Sequence, residues 1–239
     1  MRYATGLLVI GLLAISSAAS AGEFSGTVTA VSDYDFRGVS LSATDPALQG
    51  SFDFAADNGF YAGVWASNID YGSSIDGDIE VDYYLGFAGE TGSGVSWDVG
   101  VVDYTYPGSS ISLTKDKIHD YPEFYGSVGY KYFTFKQWYT DDYGGSGLDG
   151  LYSELNASFE LPSEFTLNLH TGYNYGDIFD GFEFMDYSVG VGRTVGHFDM
   201  ELKLTGTDLS GADKITDDVF NTEARVLFSI STTFPWGGE

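Results

Sequence analysis

The residues of this chain that could carry chemistry are three histidines and a large set of carboxylates. His119 falls in a predicted loop and His197 at a predicted tight turn, so both are expected to be solvated. His170 lies in a predicted strand, where it alternates with Leu169 and shares a face with Asn168. Because successive strand side chains point to opposite faces, His170 is expected on the polar face.

The common catalytic and metal-binding motifs do not occur in the sequence. There is no Gly-x-Ser-x-Gly elbow, no His-Glu-x-x-His pair and no cysteine. The acidic run from Asp70 to Glu80 lacks the spacing of an EF-hand, and Asp213, Asp217 and Asp218 form only a loose group. We therefore expect no enzyme, no cofactor and no metal centre. Solvated loop charge is the favoured interpretation, with calcium or magnesium binding by the loops left as an alternative.

A second set of charged residues lies on the small or polar faces of predicted strands. The eight acids cannot pair one to one with the three bases, so we predict a hydrated interior that favours cations. The predicted interior residues are Asp53, Glu80, Asp82, Asp98, Glu154, Glu160, Asp199, Glu201, Lys136, Lys203, Arg225 and His170.

The element that must position these side chains is a strand that alternates strictly. In the segment 79–88, the odd positions hold Ile, Val, Tyr, Leu and Phe, whereas the even positions hold Glu, Asp, Tyr, Gly and Ala. In a soluble barrel the apolar face would point inward. In a membrane barrel it would point at lipid, and the polar face would line the lumen.

The order of the connections separates these two possibilities. We predict about twelve antiparallel strands, near residues 23–36, 47–56, 59–69, 78–90, 94–106, 122–130, 132–140, 150–161, 164–175, 185–194, 197–207 and 222–234. Tight turns, such as Asp57-Asn58 before Gly59, alternate with longer acidic loops. This alternation is typical of a single up-and-down transmembrane barrel with short periplasmic turns and long extracellular loops.

The N-terminus predicts export through a Sec-type signal peptide. Arg2 precedes an apolar run from Gly6 to Ile15, and small residues precede Gly22. The run is too short for a spanning helix, which needs roughly 20 apolar residues. We predict cleavage after Ala21, with residues 1–21 as the signal and residues 22–239 as one barrel domain.

Composition agrees with a barrel and limits the partners. The chain has no cysteine, aromatic residues make up 17% of it, and Tyr and Phe number 18 each. Tyrosines suit the interfacial girdles of a membrane barrel, although a soluble aromatic-rich sandwich stays an alternative. Loss of Arg2 leaves 9 basic against 35 acidic side chains, a net charge of −26, so nucleic acid is excluded as a partner.

The patch Val31-Ser32-Asp33-Tyr34-Asp35-Phe36-Arg37-Gly38-Val39-Ser40 resembles a proteobacterial family, the TorF-type porins, also called the Gcw_chp domain. Segments 46–51, 59–68, 98–100, 167–170, 206–208 and 225–229, together with Tyr104 and Tyr106-Pro107, are also similar to it. The family-motif residues in this chain are Asp33, Tyr34, Phe36, Arg37 and Gly38. The resemblance implies an outer-membrane β-barrel of porin type, with no catalytic motif.

Within that patch, Arg37 lies where the first predicted strand meets its outer loop. We expect its guanidinium to pair with Asp33 or Asp35, or to shape a constriction.

Together these observations predict an outer-membrane porin of a Gram-negative bacterium. Small hydrophilic solutes or cations would diffuse passively through it, and outer-membrane lipid and lipopolysaccharide would surround it. A non-conducting surface barrel that binds ions, lipopolysaccharide or a partner through its loops is the alternative. A barrel enzyme such as a phospholipase, using His170, comes third.

Overall fold

The computed structural model describes residues 22–111 and 120–236. The predicted signal peptide, residues 1–21, and His119 lie outside these ranges. Within the described part of the chain, no helix is long and apolar enough to cross a bilayer.

Strands account for most of the described residues. In chain order they are β1 (Glu23–Val31), β2 (Asp35–Phe36), β3 (Val39–Ser40), β4 (Ala47–Ala55), β5 (Phe60–Asn68), β6 (Ile75–Asp76), β7 (Ile79–Glu90), β8 (Val95–Thr105), β9 (Ser110–Ile111), β10 (Tyr121–Tyr130), β11 (Phe133–Thr140), β12 (Gly150–Leu161), β13 (Phe165–Tyr175), β14 (Phe184–Val195), β15 (Phe198–Thr207) and β16 (Arg225–Phe234). Short 3-10 helices lie in the connections, at Gly72–Ser74, Tyr143–Gly145, Pro162–Glu164, Asp177–Phe179 and Gly211–Asp213.

The long strands form one closed antiparallel barrel, which confirms the predicted twelve-strand fold. Around the barrel the order is β1, β16, β15, β14, β13, β12, β11, β10, β8, β7, β5 and β4. The first and last strands close it, with Gly26 opposite Phe234 and Val31 opposite Ser229. The tight turns gather at one end of the barrel and the long connections at the other. We call these the short-turn end and the long-loop end.

The first strand departs from its predicted bounds. It was expected to run from 23 to 36, but β1 ends at Val31, and Asp35–Phe36 pairs instead with Val39–Ser40 in a separate hairpin. The signal for this hairpin is Gly38 at the second position of a two-residue turn between Phe36 and Val39. The last strand likewise begins at Arg225 rather than at 222.

The outer face of the barrel is apolar, and the core lies inside the barrel. On β7, Leu85 is 50% exposed and Phe87 is 45% exposed, whereas Glu80, on the opposite face of the same strand, is 1% exposed. This inverted pattern fits a sheet surrounded by hydrocarbon, because a soluble barrel buries its apolar face.

Aromatic rings fill much of the interior. One buried cluster consists of Tyr61, Tyr84, Val102, Tyr104, Tyr121, Tyr125, Trp138 and Tyr152. The rings lie close against the barrel wall where the wall carries glycine. A Cβ at Gly100 would meet the Tyr125 hydroxyl oxygen at 2.6 Å and the Leu85 carbonyl oxygen at 2.8 Å, so only glycine leaves room for that ring.

We predict that Leu85→Lys destabilises the protein in a lipid bilayer. Leu85 lies midway along β7 on the exposed apolar face, and a lysine facing the bilayer midplane costs about 2–4 kcal/mol of unfolding free energy. Denaturant unfolding of protein refolded into vesicles measures this loss. Thr134→Lys, on the inner face near the short-turn end, is the matched control and should change the unfolding free energy little. Equal losses in the two variants would contradict a lipid-facing outer surface.

Candidate functional site

The segment Asp33–Ser42 folds from the long-loop end into the barrel, and we call it the cross-lumen hairpin. Its turn residues, Arg37 and Gly38, have positive φ angles of 52° and 84°, which is the backbone of a two-residue hairpin turn. The turn lies against the wall: a Cβ on Gly38 would come within 2.6 Å of Thr207 Cγ2 and 2.8 Å of Asp186 Cβ. A larger residue than glycine would therefore push the hairpin off β14 and β15.

Two basic side chains on β15 and β16 hold the base of the hairpin. Arg225 donates from Nε to Asp33 Oδ2 at 2.6 Å and from Nη2 to Asp35 Oδ1 at 2.6 Å. Lys203 Nζ donates to Asp35 Oδ2 at 3.1 Å, and Thr205 donates to the same oxygen. Burial alone would raise the pKa of Asp35, but Lys203 and Arg225 outweigh it and hold that pKa below its ordinary value.

Arg37 reaches the opposite wall of the barrel. Its guanidinium donates two hydrogen bonds to Glu123 on β10, Nη1 to Oε1 at 3.0 Å and Nη2 to Oε2 at 2.5 Å. It also lies 4.3 Å from the ring centre of Tyr152 and 5.5 Å from that of Trp138. Burial opposes the charge on Arg37, yet the Glu123 carboxylate prevails and raises the guanidinium pKa above its ordinary value. The hairpin thus spans the lumen from β15 and β16 to β10.

The remaining hairpin side chains close the gaps between these anchors. Phe36 packs edge-on against Tyr104 of β8, with ring centres 6.0 Å apart, and Tyr34 packs edge-on against Trp65 of β5 at 5.4 Å. Asp33 accepts further hydrogen bonds from the Ser40 and Ser42 hydroxyls within the hairpin. The hairpin therefore touches the wall on most sides near the long-loop end.

Exposure inside the barrel changes along its axis. Inward residues near the hairpin are almost fully buried, with Glu123 and Thr140 at 0% and Tyr104 at 2%. Nearer the short-turn end, the inward side chains are accessible. We call this accessible space the vestibule; its lining includes Ser96, Asp98, Thr134, Lys136, Glu160, Asn168, Asp199 and Glu201. The interior is consequently filled at one end and open at the other.

His170 belongs to a hydrogen-bonded network at the lower edge of the filled half. Its Nε2 lies 2.8 Å from Asp186 Oδ1, and its Nδ1 lies 2.7 Å from Asn156 Oδ1. The Tyr152 hydroxyl also donates to Asp186, at 3.0 Å, and the Asn156 amide donates to Glu154 at 2.9 Å. Both imidazole nitrogens are engaged, so neither is free to activate a nucleophile. This arrangement gives no support to the phospholipase alternative.

The twelve predicted interior residues occupy strand positions that alternate with the exposed apolar positions, and they fall into two groups along the barrel axis. Near the hairpin lie Glu80, Asp82, Glu154, His170, Lys203 and Arg225. Toward the short-turn end lie Asp53, Asp98, Lys136, Glu160, Asp199 and Glu201. Their role in lining a conducting path stays a prediction. His197, expected in solvent, is exposed and stacks on Trp236 with ring centres 4.9 Å apart.

Two expectations about the charges need correction. Arg37 does not pair with Asp33 or Asp35, because it occupies the tip of the hairpin turn and points across the lumen to Glu123, while Arg225 takes both aspartates. The second correction concerns the count of interior acids, which omitted Glu123 and Asp186. Both stand on the inner face of strands whose next residue is apolar and exposed, so the same alternation could have found them.

The sequence profile of a family described as "Bacterial protein of unknown function (Gcw_chp)" matches residues 15–234. The chain belongs to the Gcw_chp family. No curated protein matches the sequence of this Gcw_chp chain.

Solved structures resemble this Gcw_chp barrel in fold. A NanC porin structure has a TM-score of 0.54 and 10% identity, over 87% of this chain and 98% of the porin. A KdgM porin has a TM-score of 0.51 and 7% identity, over 89% of this chain and 99% of the porin. A KdgM porin in complex with disordered oligogalacturonate has a TM-score of 0.50 and 7% identity, over 90% and 100% of the two chains. At these identities the similarity establishes the fold alone.

We predict that Arg37→Ala lowers the unfolding free energy by about 3–5 kcal/mol, because it leaves Glu123 buried without its partner. Denaturant unfolding in detergent micelles measures the change. Replacing both partners, as in Arg37→Met with Glu123→Met, should recover part of the loss, since no unpaired charge is then buried.

The matched control for that prediction is the exposed pair of Arg193 and Glu164, whose side chains are 45% and 79% exposed. Arg193→Ala should cost no more than about 1 kcal/mol. If Arg37→Ala and Arg193→Ala cost the same, the hairpin is not held by a buried ion pair.

Proposed function

We propose that the mature chain, residues 22–239, is an outer-membrane porin through which small hydrophilic solutes diffuse passively. The main support for this proposal is that one closed barrel combines an apolar outer face with a charged, accessible vestibule inside. We place the short-turn end in the periplasm and the long-loop end at the cell surface, surrounded by lipid and lipopolysaccharide. Residues 1–21 would serve as the cleaved signal peptide.

The charge of the vestibule favours cations over anions. Asp53, Asp98, Glu160, Asp199 and Glu201 face this end of the interior. Lys136 faces the same end of the interior and lies over aromatic rings, with Nζ 3.7 Å from the centre of Tyr125 and 4.0 Å from that of Trp138. An excess of fixed carboxylates concentrates cations and repels anions in a narrow lumen.

We do not propose the ligand of the KdgM complex as a solute of this barrel. Oligogalacturonate, present in that complex, is a polyanion. A vestibule lined mainly by carboxylates would repel it, so we propose neutral or cationic solutes for this barrel instead.

The cross-lumen hairpin sets the size limit in this proposal. It spans the filled half of the interior, so solutes pass only where the hairpin leaves gaps or moves. A barrel of about eight strands is filled by its own side chains, whereas 16 to 18 strands leave an open channel. With twelve strands and an inserted hairpin, we expect a small conductance.

A non-conducting barrel is the second candidate, and the packing of the hairpin favours it. Ion pairs at both ends of the hairpin and buried rings between them would keep the lumen shut. The function would then lie in the long loops, which would bind ions, lipopolysaccharide or a partner.

The deciding experiment is planar-bilayer recording of the refolded mature protein under a salt gradient. We expect small, discrete steps in the current. The sign of the reversal potential should indicate that cations permeate more readily than anions. Anion preference would overturn the proposed selectivity. A silent membrane, with the folded barrel confirmed by heat-dependent mobility on gels, would favour the non-conducting barrel.

We predict that the triple variant Glu160→Gln, Asp199→Asn and Glu201→Gln moves the cation-to-anion permeability ratio toward one, because it removes three vestibule charges. The matched control neutralises three exposed loop acids with Asp213→Asn, Asp217→Asn and Asp218→Asn. At about 1 M salt the Debye length is about 3 Å, so the loop control should have little effect there. Equal shifts in both variants would assign the selectivity to surface charge.

We predict that Lys203→Gln combined with Arg225→Gln raises the single-channel conductance, because both bases that hold Asp35 are lost. The control, Lys131→Gln with Arg193→Gln, removes the same charge from exposed positions near the short-turn end. An unchanged conductance in the first variant, with folding intact, would mean that the hairpin does not limit passage.

A further inference from the structure

Two carboxylates on β7 are buried beneath the cross-lumen hairpin, and no basic side chain in the described part of the chain pairs with them. Glu80 and Asp82 are each 1% exposed. They stand two residues apart on one strand, so their Cα atoms are about 7 Å apart and both side chains point inward. Carboxylates at this separation can reach a common ligand between them.

Three of the four carboxylate oxygens of this pair are left without hydrogen bonds. Among the described residues, Oε2 of Glu80 and both carboxylate oxygens of Asp82 are buried and have no hydrogen-bond partner. Isolated buried carboxylates are costly and normally pair with a base or coordinate a metal. The buried, unpaired oxygens of Glu80 and Asp82 are therefore positioned to accept an electrophilic partner.

The nearby bases are already engaged. Arg37 is bound by Glu123 in a two-bond ion pair. Arg225 and Lys203 hold the two aspartates at the base of the hairpin. None of these ion pairs includes Glu80 or Asp82, so the pair has no basic partner among the described residues.

Tyrosine hydroxyls lie around the pair. Tyr106 donates to Glu80 Oε1 at 3.4 Å. Burial, and then the charge of Glu80, raise the pKa of Tyr106 and of Tyr71. Burial and the charges of Glu80 and Asp82 likewise raise the pKa of Tyr34 on the hairpin. Surroundings that offer only oxygen ligands suit hard cations.

We propose that Glu80 and Asp82 form a binding site for a hard divalent cation such as Ca²⁺, beneath the hairpin. Within the described ranges, no third acidic or histidine side chain completes a metal-binding group here, so tyrosine hydroxyls and water provide the remaining ligands. The cation neutralises the buried pair and stabilises the packing of Tyr34 and Tyr106 around β7. This site is independent of whether the barrel conducts.

The test uses Tb³⁺, a luminescent substitute for Ca²⁺ that nearby tyrosines sensitise. The mature protein is refolded in detergent and titrated with Tb³⁺ under excitation of tyrosine, then with Ca²⁺ as competitor. We expect saturable luminescence that Ca²⁺ displaces, and at least a tenfold loss of affinity in the double variant Glu80→Gln with Asp82→Asn. The control, Asp76→Asn with Asp78→Asn, neutralises two exposed acids just before β7 and should bind as the wild type does.

A second measurement covers the case in which the double variant does not fold. Ca²⁺ should raise the thermal midpoint of the wild type, because a ligand that binds only the folded state stabilises it. The single variant Asp82→Asn should show a smaller rise. The proposal is overturned if Tb³⁺ gives no sensitised luminescence and Ca²⁺ does not change the thermal midpoint. The two carboxyl groups would then be neutralised by protonation. Luminescence lost in the loop control but kept in the double variant would overturn it in favour of the loops.

Discussion

The pairing of β1 with β16 is the constraint on which the rest of the structure depends. In hydrocarbon, each backbone donor and acceptor needs an internal partner, and a sheet achieves this only when its two edges meet. Once the edges meet, every strand has one face toward lipid and one face toward the interior. Apolar side chains then lie on the lipid face and polar side chains on the interior face. Leu85 and Phe87 face outward while Glu80 and Asp82 face inward on the same strand. The inside-out distribution of side chains is thus a consequence of closure.

Closure also creates an interior that the wall alone does not fill. A ring of twelve strands is wider than one that wall side chains can pack. Here the long-loop half is filled by tyrosine and tryptophan rings and by a hairpin that carries its own charges. Arg37 and Glu123 lie on one side, and Arg225 with Asp33 and Asp35 on the other. Because these ion pairs are buried, removing one partner is costly, and the hairpin is held in a single position.

Much of the fold was predictable because alternation is local information. The strict alternation of β7 identified both its faces and the inward direction of Glu80 and Asp82, and the order of short and long connections indicated the barrel. The end of the first strand was not predictable in the same way, because polar and apolar residues alternate in 33–36 just as they do in the residues before it. Only Gly38, after Arg37, signalled a turn there. The partner of Arg37 lay 86 residues away, a separation that no local pattern describes.

The sequence by itself determined the strand count, the two faces of each strand and the acidity of the interior, because these follow from a period of two and from composition. The tertiary structure decided which charges meet. It brought Arg37 to Glu123 and Arg225 to Asp33 and Asp35, and among the residues that the structure describes it left Glu80 and Asp82 without a basic partner. Such pairings depend on how the loop folds back into the closed barrel, because residues on opposite walls come close to one another only after the barrel has closed.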